Sequence, residues 1–186
     1  MSVSIGKMTK GQLRMFLRRF FREETPAGSI IGYTRLSNND GSSNAAVDTP
    51  TSYTTISANH RVSFVAPYTG NVEVNFKGYY AGYDTTDHNS SLYLALSTAA
   101  TFSTLNSKYE KSVWEADEDD NIIIDVTWFL TDLTPFTQYT YWIGHKASAS
   151  GDYSHHYGGT SSDKKPDCII KAIALPVTTA MTTDIS

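Results

Sequence analysis

Between residues 53 and 175 apolar and polar positions alternate in short runs separated by polar turns. Val62, Phe64 and Ala66 fall on one face of a run from His60 to Ala66, and Val72, Val74 and Phe76 on one face of a run from Val72 to Tyr80. A period of two is the spacing of a half-buried strand, because successive side chains leave the pleat on opposite sides. The same reading predicts strands over Ile30–Leu36, Tyr53–Ser57, Ser91–Leu96, Tyr109–Ala116, Ile122–Leu130, Tyr139–Ala147, Tyr153–Tyr157 and Cys168–Leu175. Pro67 to Gly70 makes a turn, and Ser37 to Pro50 reads as a loop of Ser, Asn, Asp and Gly with little to bury. Short strands at such regular spacing predict an all-β fold, an antiparallel β-sandwich or jelly roll.

The period changes to that of a helix only near the N-terminus. Thr9 is a good N-cap, Gln12 stands at the capping-box position and Met8 can staple onto Leu13. An apolar stripe of Leu13, Phe16, Leu17, Phe20 and Phe21 then predicts a short amphipathic α-helix from about Lys10 to Arg22, with Arg14, Arg18, Arg19 and Arg22 on its polar face. Pro26 and Gly28 end it. Three to four turns are marginal in water unless the phenylalanines find cover. The cover can be the sandwich of the same or a sister subunit, a neighbouring protein, or an anionic membrane surface. The expected organisation is a docking helix and arm over 1–28, a sandwich over 29–176 and a Thr-rich tail over 177–186.

A chain of 186 residues suits one well-filled core. Its 12 Tyr and 8 Phe favour pleated, half-buried surfaces over helices. The single Cys168 excludes an intramolecular disulfide and fits a small buried thiol at the head of an apolar run. No apolar stretch approaches membrane-spanning length, and the N-terminus lacks the pattern of a secretory signal, so synthesis and assembly in the cytoplasm are expected. The net charge of −4 is uneven: residues 1–24 hold six Lys/Arg against two Glu, which leaves the rest at −8. An acidic body argues against nucleic acid as a ligand.

Candidate chemistry is sparse. The acidic run Asp117 to Asn121 fails as an EF-hand loop, since Ile122 stands where Gly is needed and Trp128 where a bidentate Glu is needed. It reads as a solvated turn. His155 and His156 are adjacent and point to opposite faces of a strand, and the spacing of His60, His88 and His145 announces no metal site. Neither a nucleophile elbow nor a phosphate-binding glycine loop occurs, so no catalytic residue, cofactor or metal is expected and the chain reads as non-enzymatic. Tyr79, Tyr80, Tyr83 and Tyr93 are candidates for a glycan-binding patch; the competing reading packs them at a core edge or a subunit interface.

The stretch from His60 to Val74 resembles the start of C1q/TNF-like jelly rolls through an F-x-A-P-x-x-G turn made by Phe64, Ala66, Pro67 and Gly70. Leu133 and Tyr139 resemble the corner of sandwich domains where a Leu and a Tyr pin the crossing between sheets, although Phe136 stands where that family usually has Gly. With Tyr157-Gly-Gly and the run from Ile170 to Pro176, the chain is similar to small virion proteins of tailed phages, particularly marine and cyanobacterial ones. The resemblance implies a virion structural protein, a capsid decoration or cement protein or a tail-associated one. It implies a homo-oligomer, expected to be a trimer, with the major capsid protein or tail or neck proteins as partners. The amphipathic pattern of the N-terminal helix, outside the stretch of resemblance, makes Leu13, Arg14, Phe16, Leu17, Arg18, Phe20 and Phe21 the expected docking residues. The alternative the resemblance leaves open is a fibre-type receptor module binding a host-surface glycan.

Overall fold

The computed structural model describes residues 9–15, 25–37, 45–82, 90–102, 109–116, 121–150, 152–158 and 165–176. Eleven strands account for most of them: β1 (Ile30–Leu36), β2 (Ala45–Asp48), β3 (Thr54–Thr55), β4 (Arg61–Val65), β5 (Val72–Gly82), β6 (Ser90–Ser97), β7 (Glu110–Ala116), β8 (Asn121–Leu130), β9 (Gln138–Ala147), β10 (Tyr153–Tyr157) and β11 (Cys168–Ala174). All pairings are antiparallel and they form two sheets.

In the six-stranded sheet β5 is the axis. β8 runs along the whole of one side of it, from Val72↔Leu130 to Ala81↔Asn121. On the other side β11 pairs with its first half and β10 with its second, so β10 and β11 lie end to end. β1 extends the sheet beyond β11, and β2 beyond β10. The five-stranded sheet is built on β9, which pairs with β6 on one side and with β4 and β3 on the other, while β7 closes the far edge against β6. β2 is a departure from expectation, because Ala45–Asp48 falls in the stretch read as loop. Four residues carry too little pattern to announce a strand, and it is the open edge of β10 that supplies the ladder, with His156↔Ala46 and His155↔Val47.

The inner faces meet in one core of alternating strand residues. Val72, Val74 and Phe76 of β5, Trp128 and Leu130 of β8 and Ile170 of β11 pack against Val62 and Phe64 of β4, Leu92, Leu94 and Leu96 of β6 and Ile143 of β9. Burying an aliphatic or aromatic side chain contributes roughly 1.5–3 kcal/mol before entropic costs, so a core of this size dominates stability. The indole N–H of buried Trp128 donates to the Tyr109 carbonyl at 2.7 Å, which leaves no polar penalty at that position.

The two corners that motivated the family resemblance have defined geometry. Gly70 adopts a φ of 69°, its N–H donates to the Pro67 carbonyl at 3.0 Å, and its own carbonyl accepts from Leu133 N–H at 3.1 Å. The Tyr139 hydroxyl accepts from Thr134 N–H at 3.0 Å. Phe136, where the resembled family has Gly, is held at a φ of 62°, with its N–H donating to the Ala66 carbonyl at 2.9 Å and its ring 6.3 Å from that of Tyr68. The corner is thus kept although an unfavourable residue occupies it.

At the N-terminus residues 10–15 are helical. The capping box is made: Thr9 N–H donates to Gln12 Oε1 at 3.0 Å, and Gln12 N–H donates to Thr9 Oγ1 at 3.3 Å. The rest of the predicted helix, with Phe16, Leu17, Arg18, Phe20 and Phe21, lies outside the described residues, as do the acidic turn 117–120 and the tail 177–186.

Candidate functional site

The strand register sorts the predicted tyrosine patch into separate places. Tyr79 and Tyr80 are consecutive in β5 and so leave it on opposite faces. Tyr80 is fully buried in the core and offers no ring face to a ligand from solvent. Tyr79 lies on the outer face of the six-stranded sheet, its hydroxyl donating to Asn121 Oδ1 at 2.7 Å and its ring covered by the Lys165 ammonium 5.0 Å from the centroid. Tyr93 belongs to the other sheet, where the Lys146 ammonium lies between its ring and that of Tyr53, at 4.8 and 4.6 Å. Tyr83 lies outside the described residues. The described tyrosines therefore do not form one glycan platform. Of the docking residues, Leu13 is half-buried and Arg14 exposed.

What the fold does bring together is a set of buried polar side chains that no spacing announced. β10 alternates as expected, so His156 faces outward toward Tyr79 while His155 faces the core between Phe76 and Tyr80, with ring centroids 5.9 and 4.9 Å away. His60 arrives from the other sheet. The turn before β4 fixes it, with its N–H donating to the Ser57 carbonyl at 3.0 Å and its carbonyl accepting from Ile143 N–H at 2.8 Å. Its imidazole meets His155 edge-on at 4.9 Å and Tyr157 at 5.2 Å. Cys168, the first residue of β11, completes the group, and one donor atom each from His60, His155 and Cys168 lie within 4.8 Å of one another. His145 of β9 stands behind, its Nδ1 3.4 Å from the Tyr80 hydroxyl.

The backbone makes room for this cluster at a glycine. Gly78 faces the core between Phe76 and Tyr80, and a methyl group there would lie 2.8 Å from the His155 ring and 2.5 Å from that of Phe76. A glycine inside a strand often marks such a close approach. The site also falls where β10 ends beside β5 and β11 begins, since His156 pairs with Tyr79 and Ile169 with Lys77.

Few of these polar atoms are satisfied. His60 Nδ1 is 2.7 Å from Ser57 Oγ, but its Nε2 has no hydrogen-bond partner; neither has His145 Nε2, nor either ring nitrogen of His155. The Tyr79 backbone favours the charged form of His155 slightly, against the larger effect of burial, and gives neither ring nitrogen a hydrogen bond. Burial dominates the electrostatics. It pushes the His145 imidazole down to about 4 and, with repulsion from His145, that of His60 down to about 3. His155 is lowered well below the usual histidine range, by burial first and then by the neighbouring imidazoles. Burial, aided by the Asp167 carboxylate, pushes the Cys168 thiol up to about 12. At neutral pH the site is thus three neutral imidazoles and a protonated thiol in an apolar shell.

Sequence reasoning placed His155 and Cys168 on strands but assigned no metal site, because their partner His60 comes from the opposite sheet. The available signals were a histidine between Tyr153 and Tyr157 on an inward face and a glycine at the centre of β5.

The described residues define a two-sheet antiparallel β-sandwich with a polar cluster sealed in its core. No protein-family model matches the chain, and no curated protein matches it. Among solved structures it is similar to the Clostridium thermocellum N-terminal endo-1,4-beta-D-xylanase 10B, comprising its CBM22-1 and GH10 modules complexed with xylohexaose, at 11% identity over 84% of this chain, with a TM-score of 0.31. The chain spans 29% of that structure's length, and a likeness of this order carries no weight for fold or function.

Proposed function

We propose that this chain is a non-enzymatic structural module of a bacteriophage particle that works by self-association of a jelly-roll body. With the short β2 and β3 and the inserted β10 set aside, the strand order is β1-β11-β5-β8 in one sheet and β4-β9-β6-β7 in the other, the interleaving of a two-sheet jelly roll. The virion assignment, and a trimer as the expected oligomer, rest on the sequence resemblance. The docking role of the N-terminal segment, on the major capsid protein or on tail or neck proteins, rests on its amphipathic pattern.

The observation that carries self-association is the outer face of the six-stranded sheet. One row across it runs Ile30–Ile173–Glu73–Phe129, and Ile123 stands further along β8. Phe129 is 61% exposed, Ile30 57% and Ile123 49%. Tyr33, on the neighbouring row, is 53% exposed. Among the described residues β8 has no partner beyond β5, and an open groove of about 370 Å³ separates it from β7. A long edge strand with large apolar groups beside it is a surface that natural proteins usually cover. A second copy of the chain is the proposed cover, and burying Phe129, Ile30 and Ile123 would contribute roughly 1.5–3 kcal/mol each before the entropic cost of association.

Sedimentation velocity on the full chain tests this. The wild type is expected to sediment as an oligomer at micromolar concentration, and Phe129→Asp combined with Ile30→Asp as a folded monomer. A monomeric wild type would remove the proposal. Sugar binding on a glycan array by such a monomer would favour the fibre-type receptor module, through a surface other than the four tyrosines together.

A further inference from the structure

We propose that His60, His155 and Cys168 form a binding site for one transition-metal ion of the zinc class, which ties the two sheets together from inside the core. His60 comes from the turn leading into β4 of the five-stranded sheet, and His155 and Cys168 from β10 and β11 of the six-stranded sheet. The three belong to segments far apart in the chain, so an ion held by them cross-links both layers at the point where β10 gives way to β11.

The chemistry of the donors selects the ion. Two imidazole nitrogens and one sulfur suit zinc and its neighbours and not calcium or magnesium, which take oxygen ligands. The imidazoles are already in the neutral form that ligates. His60 has its Nδ1 engaged by Ser57 Oγ, which leaves Nε2 as the free donor. Metal-bound histidines usually have this arrangement, because the second nitrogen's hydrogen bond fixes ring and tautomer. His155, fully buried, has no hydrogen-bond partner at either nitrogen. An unsatisfied buried polar group is costly, and a cation is one occupant that satisfies both histidines at once.

The size is close to that required. Donor atoms within 4.8 Å of one another must draw in to about 3.4–3.6 Å for tetrahedral bonds of about 2.1 Å to nitrogen and 2.3 Å to sulfur, with a water molecule as the fourth ligand. The movement is roughly 1 Å at the widest pair, within reach of side-chain torsions. Binding exchanges the thiol S–H bond for a sulfur–metal bond and releases that proton to solvent, with no change of oxidation state.

The test uses the untagged full chain freed of metal, with Co(II) as spectroscopic probe and Zn(II) as ligand, each added both to folded protein and during refolding. The expected result is uptake of one ion per chain, the visible bands of tetrahedral cobalt and a near-ultraviolet thiolate-to-cobalt band, with displacement by Zn(II). Cys168 is the one cysteine of the sequence, so that band identifies the ligand without any variant. Zn(II) should raise Tm in the wild type and in His156→Gln, whose side chain leaves β10 on the face opposite His155, and should leave Tm unmoved in Cys168→Ser. A cobalt spectrum unchanged from that of the aqueous ion, with Tm indifferent to Zn(II), overturns the site and leaves the cluster to buried water. Equal binding by the wild type and Cys168→Ser overturns it as well.

Discussion

At Gly70 the backbone has a φ of 69°, and a methyl group there would lie 2.5 Å from the Leu133 carbonyl oxygen. At Gly28 φ is 88°, but nothing lies within 4 Å of the same added atom. The two positions separate the cost of a left-handed residue from that of a clash. Gly28→Ala should lose about 1 kcal/mol, the cost of the conformation alone. Gly70→Ala should lose at least about 2 kcal/mol, because the β4–β5 corner must also move away from Leu133. Urea unfolding of both variants measures the difference, and equal losses would show that the corner yields freely. Glycine was expected in the turn beginning at Pro67, but the reason it must be glycine lies across the molecule at Leu133, on a segment more than sixty positions away.

Among elements, most of the strands were legible because a half-buried strand writes its own period. β5, β8, β9 and β11 have burial patterns that alternate over most of their length, and their predicted limits differ from the observed ones by a residue or two. β2 was not legible, since its formation depends on the edge of β10 and not on its own four residues. The N-terminal helix is an element of a different kind. Its capping box forms as the sequence predicts, and its described residues, 9–15, are exposed apart from half-buried Leu13. If the segment serves docking and not cover for the sandwich, removal of residues 1–24 should leave Tm within about 2 °C of the full chain. On the proposed virion role, the same truncation should abolish incorporation into particles. Full occupancy by the truncated chain would mean that the segment does not dock, and a large drop in Tm would mean that it covers the sandwich instead.

For the whole molecule, the buried histidines link stability to pH. An unfolded histidine takes up a proton near pH 6.5, whereas burial holds His145 neutral to about 4 and His60 to about 3. Between those limits the unfolded chain binds more protons than the folded one, so stability must fall as pH falls. The full contribution is present above pH 6.5; the loss from His145 is complete near pH 4 and that from His60 near pH 3. Urea midpoints of the metal-free protein, measured between pH 7.5 and about pH 4, should decline across this window. In His145→Gln the decline should be shallower. A flat profile would mean that the imidazoles are reached by water and are not sealed in the core.

The sequence by itself determined the class of fold, the approximate limits of most strands, the two corners and the N-terminal capping box. Each is a local matter: a period of two, a turn residue, a side chain that reaches three positions along the chain. Only the tertiary structure decided that Tyr79 and Tyr93 belong to different sheets, that Ile30 and Phe129 share one exposed row, and that His60, His155 and Cys168 converge. Those facts depend on which strands become neighbours and which sheets face each other. That is set by the joint packing of some two dozen buried apolar side chains, and no short window of residues contains it.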